Sequence, residues 1–196
     1  MRIFIPYTLL ICLTTFLLSD MTANGQRISF GTWAGRDIEI LPVTVNTLSF
    51  GNVIIGAGEK TILLGNEATA FRITAPEGYD LTVTLDAPAI LVGPNSKTIP
   101  FGLKFAYSNQ GISEVVTARN MAEEVTTGFN AISFPIKRNA MGLPAPPPTP
   151  SDGSSAPRIT ASAYLFFYGS VGPAGVDADA GLYTGQININ VEYTSY

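Results

Sequence analysis

The side chains that most often perform catalysis or bind metals are nearly absent from this sequence. It contains no histidine and a single cysteine, Cys12, which lies inside an apolar N-terminal segment. Histidine is the commonest general base and metal ligand. Cysteine supplies thiolate nucleophiles, disulfides and zinc ligands. We therefore expect a protein that is not an enzyme and that has no cofactor and no metal site.

Two acidic motifs are the remaining candidates for cation binding or acid–base chemistry. Residues 177–181 begin like an EF-hand calcium loop, but Gly181 and Asn188 occupy positions where that loop requires an oxygen ligand and a glutamate. Glu123 and Glu124 are adjacent, so they do not place two carboxylates on opposite sides of a substrate. We interpret both motifs as solvated turns.

Tyrosine side chains are candidates for contact with a ligand. Tyrosine is frequent near the C-terminus, and Tyr168 and Tyr183 are the two candidates for stacking on sugar rings if they are exposed. Ordinary packing between neighbouring strands is the alternative explanation for both residues.

The charge balance argues against nucleic acid as a partner. The chain has 11 Lys+Arg against 15 Asp+Glu, a net charge of −4, and only 13% charged residues. An average soluble protein has about 25%. Nucleic-acid binding depends on a concentration of basic side chains, which this composition does not provide.

Residues 1–25 have the anatomy of a cleaved secretory signal peptide. Met1-Arg2 is basic, residues 3–18 carry no charge, and Ala23 and Gly25 place small residues before a cut at Gln26. The uncharged run is shorter than the roughly 20 residues that span a bilayer. We expect secretion to the cell surface or periplasm of a Gram-negative bacterium, with no integral membrane segment after cleavage.

Most of the remaining chain alternates between apolar and polar residues with period two, which is typical of half-buried antiparallel strands. About nine or ten short strands are predicted, which favours an all-β antiparallel β-sandwich. Helical periodicity is nearly absent, except for one or two turns within residues 118–125. The clearest apolar sets are Leu81, Val83, Leu85; Phe101, Leu103, Phe105, Tyr107; Ile159, Ala161, Ala163, Leu165, Phe167; and Ile187, Ile189, Val191, Tyr193. Shorter strands are predicted at 37–41, 43–50, 60–64, 68–74, 112–117 and 129–136.

One segment interrupts the strand pattern. Residues 142–157 are rich in proline and serine, which disfavour strand pairing and leave the chain loose. They lie between predicted strands at 129–136 and 158–168. We expect a long exposed hairpin loop at 142–157 within a single β-sandwich domain that spans residues 43–196.

Residues 26–42 form an N-terminal strand segment or extension. Ile28, Phe30, Ile38 and Ile40 share one parity and are the candidate face for strand donation. In one interpretation this segment is the first strand of its own sandwich, and it crosses between sheets at Pro42. In the other, residues 26–35 pair with an open edge of the next subunit.

Three short motifs carry a resemblance to a known group of proteins. They are D-A-G-L-Y-T-G-Q-I-N-I-N-V-E-Y (Asp179 to Tyr193), L-S-F-G (Leu48 to Gly51) and A-F-R-I-T-A-P-E-G-Y-D-L-T-V-T-L (Ala70 to Leu85). The chain resembles the spore-coat-U and archaic-pilin-like group of secreted bacterial β-sandwich domains, including its domain-of-unknown-function members. It lacks the disulfide of many spore-coat-U-type domains.

The resemblance implies an immunoglobulin-like sandwich in a surface or pilus-like structural protein, with no catalytic residues to transfer. The expected function is therefore structural or adhesive and acts through protein–protein contact or self-assembly. A carbohydrate-binding module that uses exposed tyrosines is the alternative function.

Overall fold

A computed structural model of the chain describes residues 22–126, 128, 130–137 and 160–194. These residues form an all-β fold, as predicted, with one short helix, α1 (Val115–Asn120), and a 3-10 turn (Pro94–Ser96). The strands are β1 (Thr22–Ala34), β2 (Glu39–Pro42), β3 (Thr47–Ile54), β4 (Lys60–Ile62), β5 (Thr69–Pro76), β6 (Asp80–Asp86), β7 (Ile90–Val92), β8 (Thr98–Ser108), β9 (Glu123–Glu124), β10 (Ala131–Pro135), β11 (Thr160–Val171) and β12 (Thr184–Tyr193).

The strands form one continuous sheet with two halves. The first half has the order β3-β1-β12-β6-β10, and the second has the order β9-β8-β11-β5-β2. The short strand β4 also pairs with β11, next to β5. The start of β8 pairs with β7, which touches β12 through Val92 and Thr184. Because β7 and β8 join the halves along one side, the sheet is curled around the core and is not divided into two separate sheets.

The prediction of a purely antiparallel arrangement is wrong at one pair of strands. β1 runs parallel to β12 over Arg27–Ala34 and Thr184–Val191. A parallel pair requires a long crossover between its strands, and here most of the described chain lies between them. The alternation of side chains along a strand does not depend on its direction, so the sequence pattern could not reveal this pairing.

Aromatic side chains from the two halves meet in the core. The ring of Phe30 on β1 lies 5.1 Å from that of Phe71 and 5.0 Å from that of Phe167, measured between centroids. Phe50 on β3 contacts Phe101 on β8 in an edge-on arrangement. Six of the seven predicted inward positions of β6 and β12 are buried, and Tyr193 is partly buried. The six buried residues are Leu81, Val83, Leu85, Ile187, Ile189 and Val191.

Strand β11 departs from the predicted half-buried pattern because both of its faces are covered. Leu165 and Phe167 face the core, and Tyr164, Phe166 and Tyr168 on the other face are buried as well. The covering segment includes α1: the Arg119 guanidinium lies 5.7 Å from the centre of the Phe166 ring. The Tyr164 hydroxyl donates to the Ser113 carbonyl at 2.6 Å.

The strand predicted at 112–117 is wrong, because this segment leads into α1. The carboxylate of Glu114 accepts hydrogen bonds from the backbone N–H groups of Val116, at 2.8 Å, and Thr117. A hydrogen bond with the Thr117 side chain and these two backbone bonds together lower the pKa of Glu114 below its usual value. Side-chain capping satisfies N–H groups that the first helical turn leaves unpaired, and it starts a helix at β-branched residues that otherwise favour a strand.

The proline-rich segment 142–157 lies outside the described residues. The strands that flank it do not pair with each other: β10 pairs with β6, whereas β11 pairs with β4, β5 and β8. The prediction of a hairpin is therefore wrong, since this connection joins strands in opposite halves of the sheet.

Gly93 allows the ring of Tyr183 to lie directly against the backbone before the 3-10 turn. A Cβ atom at Gly93 would lie 2.5 Å from the Tyr183 ring. Its backbone is extended, with φ −122°, so space, not conformation, excludes a side chain at this position.

We predict that Gly93→Ala lowers the free energy of unfolding by about 1–3 kcal/mol, the usual cost of overpacking. Gly58→Ala is the matched control, because nothing lies within 4 Å of a Cβ atom there. Urea denaturation of both variants measures the difference. Equal stability of the two variants would contradict the packing of Tyr183 on Gly93.

Candidate functional site

The candidate strand-donor face is part of the chain's own core. Ile28, Phe30, Ile38 and Ile40 are all buried. β1 lies between β12 and β3 of the same chain. This is the arrangement expected if the N-terminal segment is a strand of its own subunit. Exchange of residues 26–35 between subunits stays a prediction.

The chain crosses between the halves on both sides of β2. β1 and β3 belong to the first half, whereas β2 pairs with β5 in the second. The crossing predicted at Pro42 is therefore accompanied by an earlier one between Ala34 and Glu39.

β1 begins before the predicted cleavage site. Its pairing with β3 is irregular between Ala23 and Gln26, and it becomes a continuous parallel ladder with β12 from Arg27 onward. Gln26 is buried, and its Oε1 accepts a hydrogen bond from the Tyr183 N–H at 3.0 Å. Cleavage before Gln26, which stays a prediction, would leave this continuous ladder intact.

One side of β3, here called the β3 edge, points away from β1. The Arg27 N–H donates to Tyr183 O, so the backbone of Arg27 faces β12. Ser49 is the register partner of Arg27 on β3. In an antiparallel pair such a residue directs its own N–H and C=O away from the partner strand. Among the described strands β3 pairs with β1 alone, so these groups of Ser49 face the open side.

The β3 edge borders a cleft of about 470 Å³ between the two halves of the sheet. Val45, which is 58% exposed, contributes apolar surface to its lining, and the lining residues Phe50, Ile62 and Ala68 are almost fully buried. Side chains on the other side of the cleft bond to the backbone of β3 near both of its ends. Thr69 Oγ1 donates to Thr47 O at 2.8 Å, and Lys60 Nζ donates to Asn52 O at 3.3 Å. The stretch of β3 around Ser49 lies between these two bonds.

The two tyrosines that are candidates for ligand stacking are buried, which agrees with the alternative explanation, packing between strands. Tyr168 is 4% exposed and Tyr183 is 1% exposed, so neither ring can stack on a sugar at the surface. Burial raises the pKa of Tyr168 to about 12, and the nearby Glu124 carboxylate raises it too. The Tyr183 hydroxyl donates to Asp179 O at 3.0 Å, and burial raises the pKa of this phenol as well.

One feature of the sequence could have identified Tyr168 as buried. Residues 163–168 are uninterrupted Ala-Tyr-Leu-Phe-Phe-Tyr, and a continuous apolar run is typical of a strand that is covered on both faces. The exposed aromatic side chain that sequence reasoning missed is Trp33, which is 58% exposed. On β1, Trp33 lies on the same face as Arg27, Ser29 and Gly31.

The acidic motifs serve local contacts. Glu123 accepts a hydrogen bond from the Tyr107 hydroxyl at 2.8 Å, and Asp179 accepts one from the Asn95 amide at 2.9 Å. In the described part of the chain, no group of three or more Asp, Glu, His or Cys side chains is arranged to hold a metal ion. No helix within it is long and apolar enough to cross a membrane.

No protein-family model matches this chain, and no curated protein matches it significantly.

We predict that Phe30→Ala lowers the free energy of unfolding by about 3–5 kcal/mol, because it leaves a cavity between Phe71 and Phe167. Thr32→Ala on the same strand is the control, since Thr32 is exposed. Urea denaturation of dilute monomer gives the comparison. An unchanged stability of the Phe30 variant would show that β1 does not belong to its own subunit in solution.

We also predict that the protein loses stability as the pH rises from about 10 to about 12. An unfolded tyrosine loses its proton near pH 10, whereas the pKa of folded Tyr168 is about 12. The stabilisation is complete below pH 10 and disappears as the folded phenol ionises. Tyr168→Phe should flatten this dependence in urea melts, and Tyr79→Phe, at a ring that is 48% exposed, is the control. An identical slope in the wild type and the Tyr168 variant would rule out this cause.

Proposed function

We propose that this chain is a non-enzymatic structural or adhesive protein of the bacterial surface that acts through protein–protein contact, including self-assembly. The β3 edge is the observation that carries the proposal. β3 has eight residues, T-L-S-F-G-N-V-I, without a charge or a proline. Folded proteins usually protect such edges with charge, proline or short length, because an open edge pairs with strands of other chains.

The β3 edge combines two features that a strand-binding site needs. The backbone N–H and C=O of Ser49 give hydrogen bonds of the kind that join strands. The cleft beside them offers apolar surface from Val45, which is 58% exposed and can cover an apolar side chain of the added strand. An extended segment of a second copy is the partner that we propose for this edge.

The two short edges at the far ends of the sheet are less suited to this role. β2 and β10 have four and five residues, and each ends in a proline, Pro42 and Pro135. Proline cannot donate a hydrogen bond to a neighbouring strand. The contrast with β3 supports a single preferred edge for assembly.

The composition and the N-terminal segment agree with this function. A chain without histidine and with its only cysteine at position 12 has few means of catalysis, whereas strand pairing requires only backbone groups. Export through the predicted signal peptide would place the protein where surface assembly takes place.

We predict that the mature chain associates in a concentration-dependent way and that Ser49→Pro abolishes this association. Proline removes the N–H that faces the cleft and leaves the pairing with β1 intact. Ser49→Thr keeps the N–H and is the matched control. Sedimentation velocity measures association, and circular dichroism with thermal melting verifies that each variant is folded.

Two outcomes would contradict the role of the β3 edge. The first is a wild-type chain that stays monomeric at every concentration at which it is soluble. The second is association of a folded Ser49→Pro variant that equals that of the wild type. In the second case, exchange of residues 26–35 would be the remaining route to assembly by strand pairing.

A further inference from the structure

The outer face of the first half, which points away from the core, carries Trp33 beside a row of uncharged polar side chains. Trp33 is the register partner of Asn190 on β12, and Asn190 is the partner of Thr84 on β6. Adjacent strands lie about 4.8 Å apart. An indole, an amide and a hydroxyl therefore follow one another across three neighbouring strands.

No side chain projects from β1 at the position next to Trp33 on the outer face, because that residue is a glycine. Gly31 precedes Trp33 by two residues, and the amide of Gln186 donates to Asn188 Oδ1 at 3.0 Å. A Cβ atom at Gly31 would lie 2.7 Å from Asn188 Oδ1 and 3.1 Å from Gln186 Nε2. The two amides thus lie across β1 in the space that a larger residue would fill, and they form a flat hydrogen-bonding layer beside the indole.

The amide of Asn190 has an unused acceptor. Its Oδ1 is buried and has no hydrogen-bond partner. Buried polar atoms are normally paired, and an unpaired one costs free energy. The side chain of Asn190 is half-buried, so a ligand hydroxyl beside Trp33 would meet its exposed part, while Oδ1 itself is covered.

We infer that this face binds a neutral saccharide, a chain of β-linked pyranose rings, with Trp33 as the stacking residue. A pyranose ring has an apolar C–H face that suits an exposed indole and hydroxyl groups around its rim that suit amides and hydroxyls. Asp80, Asp86 and Glu192 are acidic residues on this face; Asp86 is the register partner of Asn188, and Glu192 follows Asn190 by two residues on β12. Arg27 on β1 is a basic residue of the same face. Acidic neighbours disfavour a polyanion.

The distribution of polar groups favours a saccharide over a protein partner. The centre of a protein interface is typically apolar or aromatic and is enclosed by a rim that excludes water. Here a single aromatic side chain adjoins amides and hydroxyls, among them Thr82, which bonds to Ser133 and Thr194 at 2.9 Å each. This site lies outside the β3 edge, and its test is independent of the proposed assembly.

The experiment measures binding of the mature chain to insoluble cellulose and chitin by pull-down, and to cellohexaose and chitohexaose by calorimetry. We expect binding to at least one of these probes. Trp33→Ala should weaken it about tenfold or more, the contribution of a stacked aromatic pair, and Trp33→Phe should restore part of the loss. Gly31→Ala, which displaces the amide pair, should weaken binding while Trp33 is retained.

Leu63→Ala is the control, because Leu63 is 74% exposed but lies outside this face. In calorimetry with the soluble hexasaccharides, Ser49→Pro should keep the wild-type affinity per site, whereas its binding to the insoluble polymers should weaken where that binding depends on joined sites; this difference separates the saccharide site from assembly. The inference is overturned if the wild type binds none of the four probes, or if Trp33→Ala binds as well as the wild type. It is also overturned if Trp33→Ala reduces self-association and leaves saccharide binding unchanged.

Discussion

The parallel pairing of β1 with β12 is the interaction on which the rest of this structure depends. It joins the start and the end of the described chain, from Arg27 with Thr184 to Ala34 with Val191. It places Phe30 against Phe71 and Phe167 from the other half of the sheet. A contact between chain ends costs loop-closure entropy before it contributes stability. The core therefore closes only when both ends are in place.

The same pairing creates both proposed binding surfaces. Because β1 occupies the place between β12 and β3, the latter becomes an edge whose Ser49 backbone groups face a cleft. Because β1 and β12 are in register, Trp33 lies beside Asn190, and Gly31 lies under the amides of Asn188 and Gln186. Neither surface would exist if β1 were removed from its own chain, since the five outer-face residues just named all lie on this ladder.

The sequence predicted the local patterns well and the long-range arrangement poorly. Period-two alternation identified the inward residues of β6 and β12, because strand geometry alone decides which side chains share a face. It failed at β11, where α1 and the residues around it cover the second face, and at residues 112–117, where the Glu114 side chain caps a helix. Alternation also did not show that Tyr168 is buried and Trp33 is exposed. Burial of a side chain depends on which segment covers its strand, and neither this segment nor the order of the strands can be read from alternation.

The positions of the two surfaces allow assembly and saccharide binding to occur together. A strand that pairs with the β3 edge lies in the plane of the sheet, beyond β3 and away from β1. The side chains of the outer face project perpendicular to that plane. The strands β3 and β1 lie between the added strand and Asn190. Pairing at the edge would therefore leave Trp33 uncovered, and each added subunit would contribute another of the proposed saccharide sites. Joined sites of this kind raise overall affinity by about 10²–10⁴ without any new contact, so assembly would convert a weak stacking site into firm adhesion.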